Sequence, residues 1–312
     1  MAEGAPARPP APSRASTFVI SITPFAPDGA FDEDLIRGHL RRMAAGGIGV
    51  YLGGGGSGEG YVLSPDEMQR LLKVGVEELG GKVPVRAMGV EPRSAQQMVD
   101  FVTSVAGLGL DATQIYSLDQ GHGHHPTPSE ISRYFLDVLS AIDVPAVLST
   151  HQSVGYQVPI PLLVELAERF DHLIGINCTH QDLRYLADVV DALGERLDIH
   201  VGGPHLGLTA LALGANGYLS SEGNLAPRLC VGVIEAYRAN DAHLAASLFG
   251  KVLRLSAALY GAGGIRATKA VLDSYGLPGG PPRLPQLPVA AETVSSLRRL
   301  VEELGIPDIE RW

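Results

Sequence analysis

From Thr17 onward the chain alternates short β-branched or apolar runs with longer stretches in which apolar residues return at helical spacing. The short runs, at 18–23, 49–53, 83–89, 112–116, 146–149, 173–177, 197–202 and 217–220, predict strands, and each is followed by a helical stretch. Two helices announce their starts. Ser64-Pro65-Asp66-Glu67 offers an N-cap, a proline in the first turn and a glutamate at the third helical position, and Thr127-Pro128-Ser129-Glu130 repeats the arrangement. Regular alternation predicts a parallel sheet of α/β class, and eight units in roughly 220 residues predict its closure into a (β/α)8 TIM barrel. After the eighth strand, 225–260 and 264–275 read as helices, 277–288 (LPGGPPRLPQLP) as a connector and 289–304 as a last amphipathic helix. The chain thus divides into a Pro/Ala-rich tail at 1–16, a barrel at 17–224, and the last barrel helix with a C-terminal helical subdomain at 225–312.

Composition then narrows the function. An apolar share of 45% and a charged share of 19% describe a globular chain with ample core, not a disordered or fibrous one. A net charge of -10 without a local Lys/Arg cluster argues against nucleic acid as a partner. No apolar run approaches the roughly 18 residues of a membrane span, and the tail lacks the apolar region of a signal peptide, so no membrane association and a cytoplasmic location are expected. Cys178 and Cys230 form neither a disulfide framework nor a metal-binding spacing. Among the 24 basic residues only Lys73, Lys82, Lys251 and Lys269 are lysines.

One motif misleads. Gly53-x-Gly55-x-x-Gly58 has the spacing of a dinucleotide fingerprint, but such a fingerprint opens its helix at the last glycine, whereas here Tyr61-Val62-Leu63 and a fresh capping box intervene. Glu77 and Glu78, about twenty positions on, fall inside the predicted helix and not at a strand end. No NAD and no PLP is expected.

Ile22-Thr23-Pro24-Phe25, Asp28-Gly29, Gly46-Gly47-Ile48, Gly55-Gly56-Ser57-Gly58-Glu59, Gly175-Ile176, Gly214-Ala215-Asn216-Gly217 and Asn224-x-Ala226-Pro227 together resemble the dihydrodipicolinate synthase / N-acetylneuraminate lyase (DapA-like) family. The resemblance runs from about Thr17 to the chain end. It implies a (β/α)8 barrel with a helical C-terminal subdomain, a homo-oligomer (dimer or tetramer), and a lyase acting on a small-molecule carboxylate. Members of that family join or split carbon-carbon bonds, or dehydrate sugar acids, through a Schiff base between a 2-oxo acid and a lysine ending the sixth strand in Gly-Ile-Lys. Here the motif reads Gly175-Ile176-Asn177, and no other lysine falls at a strand's C-terminal end. The family's tyrosine after the fourth strand is replaced by Asp119, and its arginine after the fifth by Val154. The loop at 55–59 survives. Its backbone N–H groups and the Ser57 hydroxyl are expected to cradle a substrate carboxylate.

In this fold the active site lies past the C-terminal ends of the strands. There the sequence places Asp119, His122, His124 and His125 after the fourth strand, His151 after the fifth, Asn177 and His180 after the sixth, His205 after the seventh and Glu222 after the eighth. Asn177, Asp119, His151, His180 and His205 are the catalytic candidates, since imidazole and carboxylate supply general acid/base groups near neutral pH. His151, His180 and His205 are also candidate ligands for a divalent metal, which could replace the imine as electron sink. Gly56, Ser57, Glu59, Tyr116 and Glu222 are the candidates for substrate binding. Each has a plainer alternative. The loop at 121–125 reads equally as a polar surface loop, Glu59 as a tie for its own loop backbone, and Asn177 as a filler. Tyr116 and Cys178 face the helices if the strand alternation runs that way. Arg86 on the third strand points into the barrel if the register holds, and Arg93 competes with it as the anion partner.

Two functions follow. One is a divergent lyase, of aldolase or dehydratase type, that acts on a 2-oxo acid or related oxygenated acid without a lysine imine and is not an authentic dihydrodipicolinate synthase. The other is a non-catalytic pseudoenzyme that keeps the pocket as a ligand sensor.

Overall fold

The computed structural model describes residues 14–150, 154–180 and 182–312. Eight parallel strands close into a barrel in sequence order: β1 (Ser16–Ile20), β2 (Gly49–Leu52), β3 (Val85–Ala87), β4 (Ala112–Ile115), β5 (Ala146–Thr150), β6 (Leu173–Cys178), β7 (Asp198–Gly202) and β8 (Gly217–Leu219). Helices α1 (Glu33–Gly46), α2 (Pro65–Leu79), α3 (Ala95–Val105), α4 (Pro128–Ser140), α5 (Ile160–Arg169), α6 (Leu183–Leu193), α7 (Gly207–Ala212) and α8 (Pro227–Arg238) return the chain to the start of the next strand or, for α8, complete the outer ring. Both capping boxes read from the sequence form, at Ser64–Glu67 and Thr127–Glu130. The sheet is apolar toward the helices through Val19, Val50 and Val85, as a layer buried on both faces must be.

Closure depends on one glycine. β8 meets β1 at Gly217, where an added Cβ would lie 1.8 Å from the Ser16 carbonyl oxygen and φ is 150°. At the other end β1 is shorter than the 18–23 run, because Asn224 takes over its pairing: Oδ1 accepts from Ile22 N and Nδ2 donates to Ile20 O, both at 2.9 Å.

Beyond the barrel lie α9 (Ala242–Gly261), α10 (Ile265–Ser274), α11 (Ala291–Glu303) and α12 (Ile306–Glu310). The single helix expected over 225–260 is two. Asn240 turns left-handed (φ 58°) and the Asp241 carboxylate caps α9 by accepting from Leu244 N. The Glu310 carboxylate accepts from Arg228 N and Leu229 N, so α12 caps the start of α8. No helix among the described residues is long and apolar enough to cross a membrane.

The connector does more than link helices. Arg283 makes a two-pronged ion pair with Glu67 (2.8 and 2.9 Å), donates to Gly29 O and Val62 O, and lies over the Phe25 ring. Its backbone N–H donates to Glu59 Oε1, and Lys269 Nζ of α10 pairs with Glu59 Oε2. The C-terminal subdomain therefore holds the loop after β2 in place.

Candidate active site

A cavity of about 410 Å³ opens at the C-terminal ends of the strands, walled by Gly56, Ser57, Glu91, Gln114, Tyr116, Ser149, Asn177, Thr179, His205 and Tyr260 among others. A second cavity of about 270 Å³ adjoins it between the 55–57 loop and α9–α10, sharing Gly56, Ser57, Ser221 and Tyr260.

The floor of the larger cavity is a polar layer inside the barrel. The register places Tyr51 beside Arg86, and Asn177 between Ser149 and His200. Arg86 Nη1 donates to Tyr51 Oη at 3.0 Å, and the guanidinium lies over the Phe18 ring at 4.3 Å. Asn177 Nδ2 donates to Tyr51 Oη (3.0 Å) and to Gln114 Oε1 (2.7 Å). Arg86 is buried and among the described residues no carboxylate pairs with it. Its charge, added to burial, pushes the pKa of His200 down to about 3, so His200 is a neutral ring that shares a 2.8 Å hydrogen bond with Ser16 Oγ. Tyr116 stands above this layer, where burial and then the nearby Glu91 charge raise its pKa. Hydrogen bonds from Gly55 N–H and the Gln114 side chain pull the other way. The phenol stays protonated at ordinary pH.

The loop at 55–59 lies against the cavity. Glu59 adopts a left-handed backbone (φ 51°), and Gly60 passes so close to Gly53 that an added Cβ would lie 2.1 Å from the Gly53 carbonyl oxygen. The resulting turn leaves Gly56 and Ser57 at the cavity wall, while Ser57 Oγ shares a hydrogen bond with Ser221 Oγ at 2.8 Å. The short helical turn at 60–62 and the separate capped start of α2 show that the Gly-rich run does not open a helix as a dinucleotide site does.

The structure brings Gly56, Ser57, Tyr116, Asn177 and His205 to one cavity. The other described candidates do not line it. Asp119 is tied to Arg93 at 2.8 Å and accepts from Gly121 N, which folds the loop after β4 on itself and keeps the carboxylate off the cavity wall. Arg93 is spent on the same contact. His180 lies edge-on to Tyr185 of α6, 5.3 Å between centroids, and does not line the cavity. Glu59 is fully buried and its two oxygens are taken by Lys269 and Arg283 N, so it braces the loop and meets no substrate. Glu222 is buried at the wall of the smaller cavity, with Oε2 accepting from Ser220 Oγ at 2.6 Å. His151 lies outside the described residues. Cys178 is buried toward α6, and burial raises its thiol pKa. Among the described residues no three His, Cys, Asp or Glu side chains converge as a metal site requires; the proposed His151, His180, His205 set includes a residue outside them.

Sequence reasoning missed Glu91, Gln114, Tyr51 and Tyr260. Glu91 lies just past β3, where the rule applied to strands four to eight would have found it. Tyr51 and Gln114 occupy inward positions that alternation from Arg86 reaches across the register. Tyr260 had no signal, since it comes from α9.

Comparison with known proteins agrees with the geometry. The model of the dihydrodipicolinate synthetase family matches residues 13–304. The chain belongs to that family. A 4-hydroxy-tetrahydrodipicolinate synthase of Methanopyrus kandleri is 28% identical over 91% of this chain and 94% of the relative. A DapA-like lyase of Halobacterium salinarum is 29% identical over 91% and 92%. The dihydrodipicolinate synthase structure from Thermotoga maritima superposes with a TM-score of 0.85 at 20% identity, covering 94% of this chain and 99% of its own. This family is one of lyases, and the chain departs from the expected Gly-Ile-Lys at the end of β6. Lys73 is on α2, Lys82 is in the turn after it, Lys251 donates to Leu304 O, and Lys269 is in the Glu59 clasp. None lines the cavity.

Proposed function

We propose that the chain is a lyase that acts on a small oxygenated carboxylic acid, by addition, cleavage or dehydration, without a lysine imine. The observation that carries this reading is Asn177: it occupies the end of β6 on the cavity wall, and every lysine of the chain is elsewhere. The Gly56 and Ser57 N–H groups receive the carboxylate, a role suited to successive backbone donors in a turn. The buried cation of Arg86 sets a positive field beneath the cavity that favours an anion and stabilises negative charge developing next to it. Tyr116 is the proton donor to a substrate oxygen, and Glu91 and His205 are the groups on the wall able to accept a proton. No step in this scheme passes through a metal.

Borohydride reduction in the presence of pyruvate or 2-oxobutyrate tests the scheme. Intact-mass spectrometry is expected to show unmodified protein, alongside an assay that follows consumption of candidate acids. A reduced adduct on any lysine would overturn the imine-free reading. Ligand binding without turnover of any acid tried would favour the sensor alternative.

A further inference from the structure

The smaller cavity, of about 270 Å³, is apolar where the larger one is polar. The two meet along a line of three hydroxyls: Ser57 Oγ shares a hydrogen bond with Ser221 Oγ at 2.8 Å, and Ser221 Oγ shares one with Tyr260 Oη at 3.3 Å. All three residues, with Gly56, line both cavities, so an acid held at the 55–57 loop stands at the junction. Beyond the junction the walls are Tyr61 from the short turn after the loop, Leu259 from α9, and Ile265 and Thr268 from α10. No basic residue lines them. The one acid, Glu222, is 1% exposed and accepts through Oε2 from Ser220, so it shows the cavity almost no surface. The surface on offer is that of two phenol rings, Tyr61 at 52% and Tyr260 at 60% exposed. The bond that ties Tyr260 is longer than the ordinary O–H···O range of about 2.5–3.0 Å, so the ring is loosely held at the junction.

We infer that the smaller cavity is a subsite for an uncharged aliphatic or aromatic arm of the substrate, with Tyr260 and Ile265 setting the arm it prefers. The carboxylate belongs on the larger side, above the buried Arg86 cation, because the smaller cavity offers an anion no counter-charge. An apolar arm leaves water among the two rings, Leu259 and Ile265, and desolvates few polar groups in doing so. A three-carbon acid gains nothing from that surface. The inference rests on the lyase reading for the carboxylate end and adds the substrate class: oxygenated acids with an apolar side chain of butyl to benzyl size.

Calorimetry on the full chain tests it with 2-hydroxy acids, which form no imine, each in both enantiomers: lactate, 2-hydroxyhexanoate, 3-phenyllactate and, with a charged arm, 6-amino-2-hydroxyhexanoate. At least one of the two acids with an apolar arm is expected to bind roughly tenfold to a hundredfold more tightly than lactate, at about fourfold for each methylene buried. The amino arm is expected to bring no such gain. Ile265 lines the smaller cavity and not the larger, so Ile265→Trp should fill the subsite, remove the gain and leave lactate affinity within about twofold. Gln286→Trp fills it from the connector and serves if the first variant does not fold. Equal binding of long and short acids, no binding of the apolar-armed acids, a gain kept in a filled variant that folds, or tightest binding of the amino-armed acid would each overturn the inference. A borohydride adduct with the arm preference retained would remove the imine-free reading alone, and no adduct with no arm preference would remove this inference alone.

Discussion

Lys269 and Arg86 are both withdrawn from water in the same molecule, one in the C-terminal subdomain and one inside the barrel, and their surroundings differ in one respect. Lys269 is fully buried against the Glu59 carboxylate, the Pro281 carbonyl and the Phe25 ring. Arg86 has the Phe18 and Tyr51 rings and one hydroxyl, but among the described residues no anion, and none that accepts from its Nε. A buried charge with its partner in place is closed to ligands and serves the fold. One without a partner is a cost the fold carries, and it lies under the cavity where an anionic substrate would offset it. The difference separates a clasp from a site.

The sharpest way to break the comparison is to remove each cation in turn. Lys269→Met strands the Glu59 carboxylate in a dry clasp, and losing one partner of a buried pair costs about 3–5 kcal/mol. Chemical denaturation should show that loss, and the double variant Lys269→Met/Glu59→Leu should recover much of it. A single variant as stable as wild type would mean that the pair is not the brace of the 55–59 loop. Burial lowers the Lys269 pKa even with Glu59 opposing that shift, so the clasp is a compromise and its removal in both halves is the informative control.

Arg86→Met is expected to behave in the opposite way. With no anion to orphan, the loss of the cation should leave stability unchanged or raise it, while affinity for small carboxylates falls by roughly tenfold, the scale of a unit charge acting over about 12 Å at an effective dielectric of about 20. Calorimetric titration of the variant with the tightest-binding acid measures this. Unaltered affinity would show that the field of Arg86 does not reach the cavity.

The two cations also show what the sequence could and could not convey. The barrel was legible because strand and helix periods alternate, and helix starts at Ser64 and Thr127 are local chemistry carried by four consecutive residues. The place of Asn177 was legible for the same reason, since it ends a strand whose neighbours are fixed by the fold. Glu59 was not. Its partners, Lys269 and Arg283, lie more than two hundred positions away, one on α10 and one in the connector after it, and only packing of the subdomain joins them to the loop. Asp119 and His180 failed for a related reason: a position past a strand end says which loop a side chain belongs to, whereas Arg93 and Tyr185 decide where it turns. The break between α8 and α9 rests on Asn240 and Asp241, residues that a continuous apolar pattern outweighs in reading but whose backbone and cap chemistry decide in folding.

The smallest effect belongs to His200, and it links the unpaired cation to acid stability. Burial and then the Arg86 charge hold its pKa at about 3, well under the ordinary 6.5, and His39 is held at about 3 by burial and then the Arg42 charge. Because both folded values lie below the unfolded one, the unfolded chain binds more protons as the pH falls. Their contribution is therefore complete above pH 6.5 and is lost progressively between there and pH 3, by roughly 1 kcal/mol per histidine once the pH reaches about 5.5. His200→Phe should flatten the fall of unfolding free energy between pH 6.5 and 4.5 by the share of one histidine. Arg86→Met should flatten it less, since it removes one of two causes and leaves burial. A slope that Arg86→Met reduces as much as His200→Phe would show that charge, not burial, keeps the ring neutral. A slope unaffected by either would show that His200 does not titrate between the folded and unfolded states.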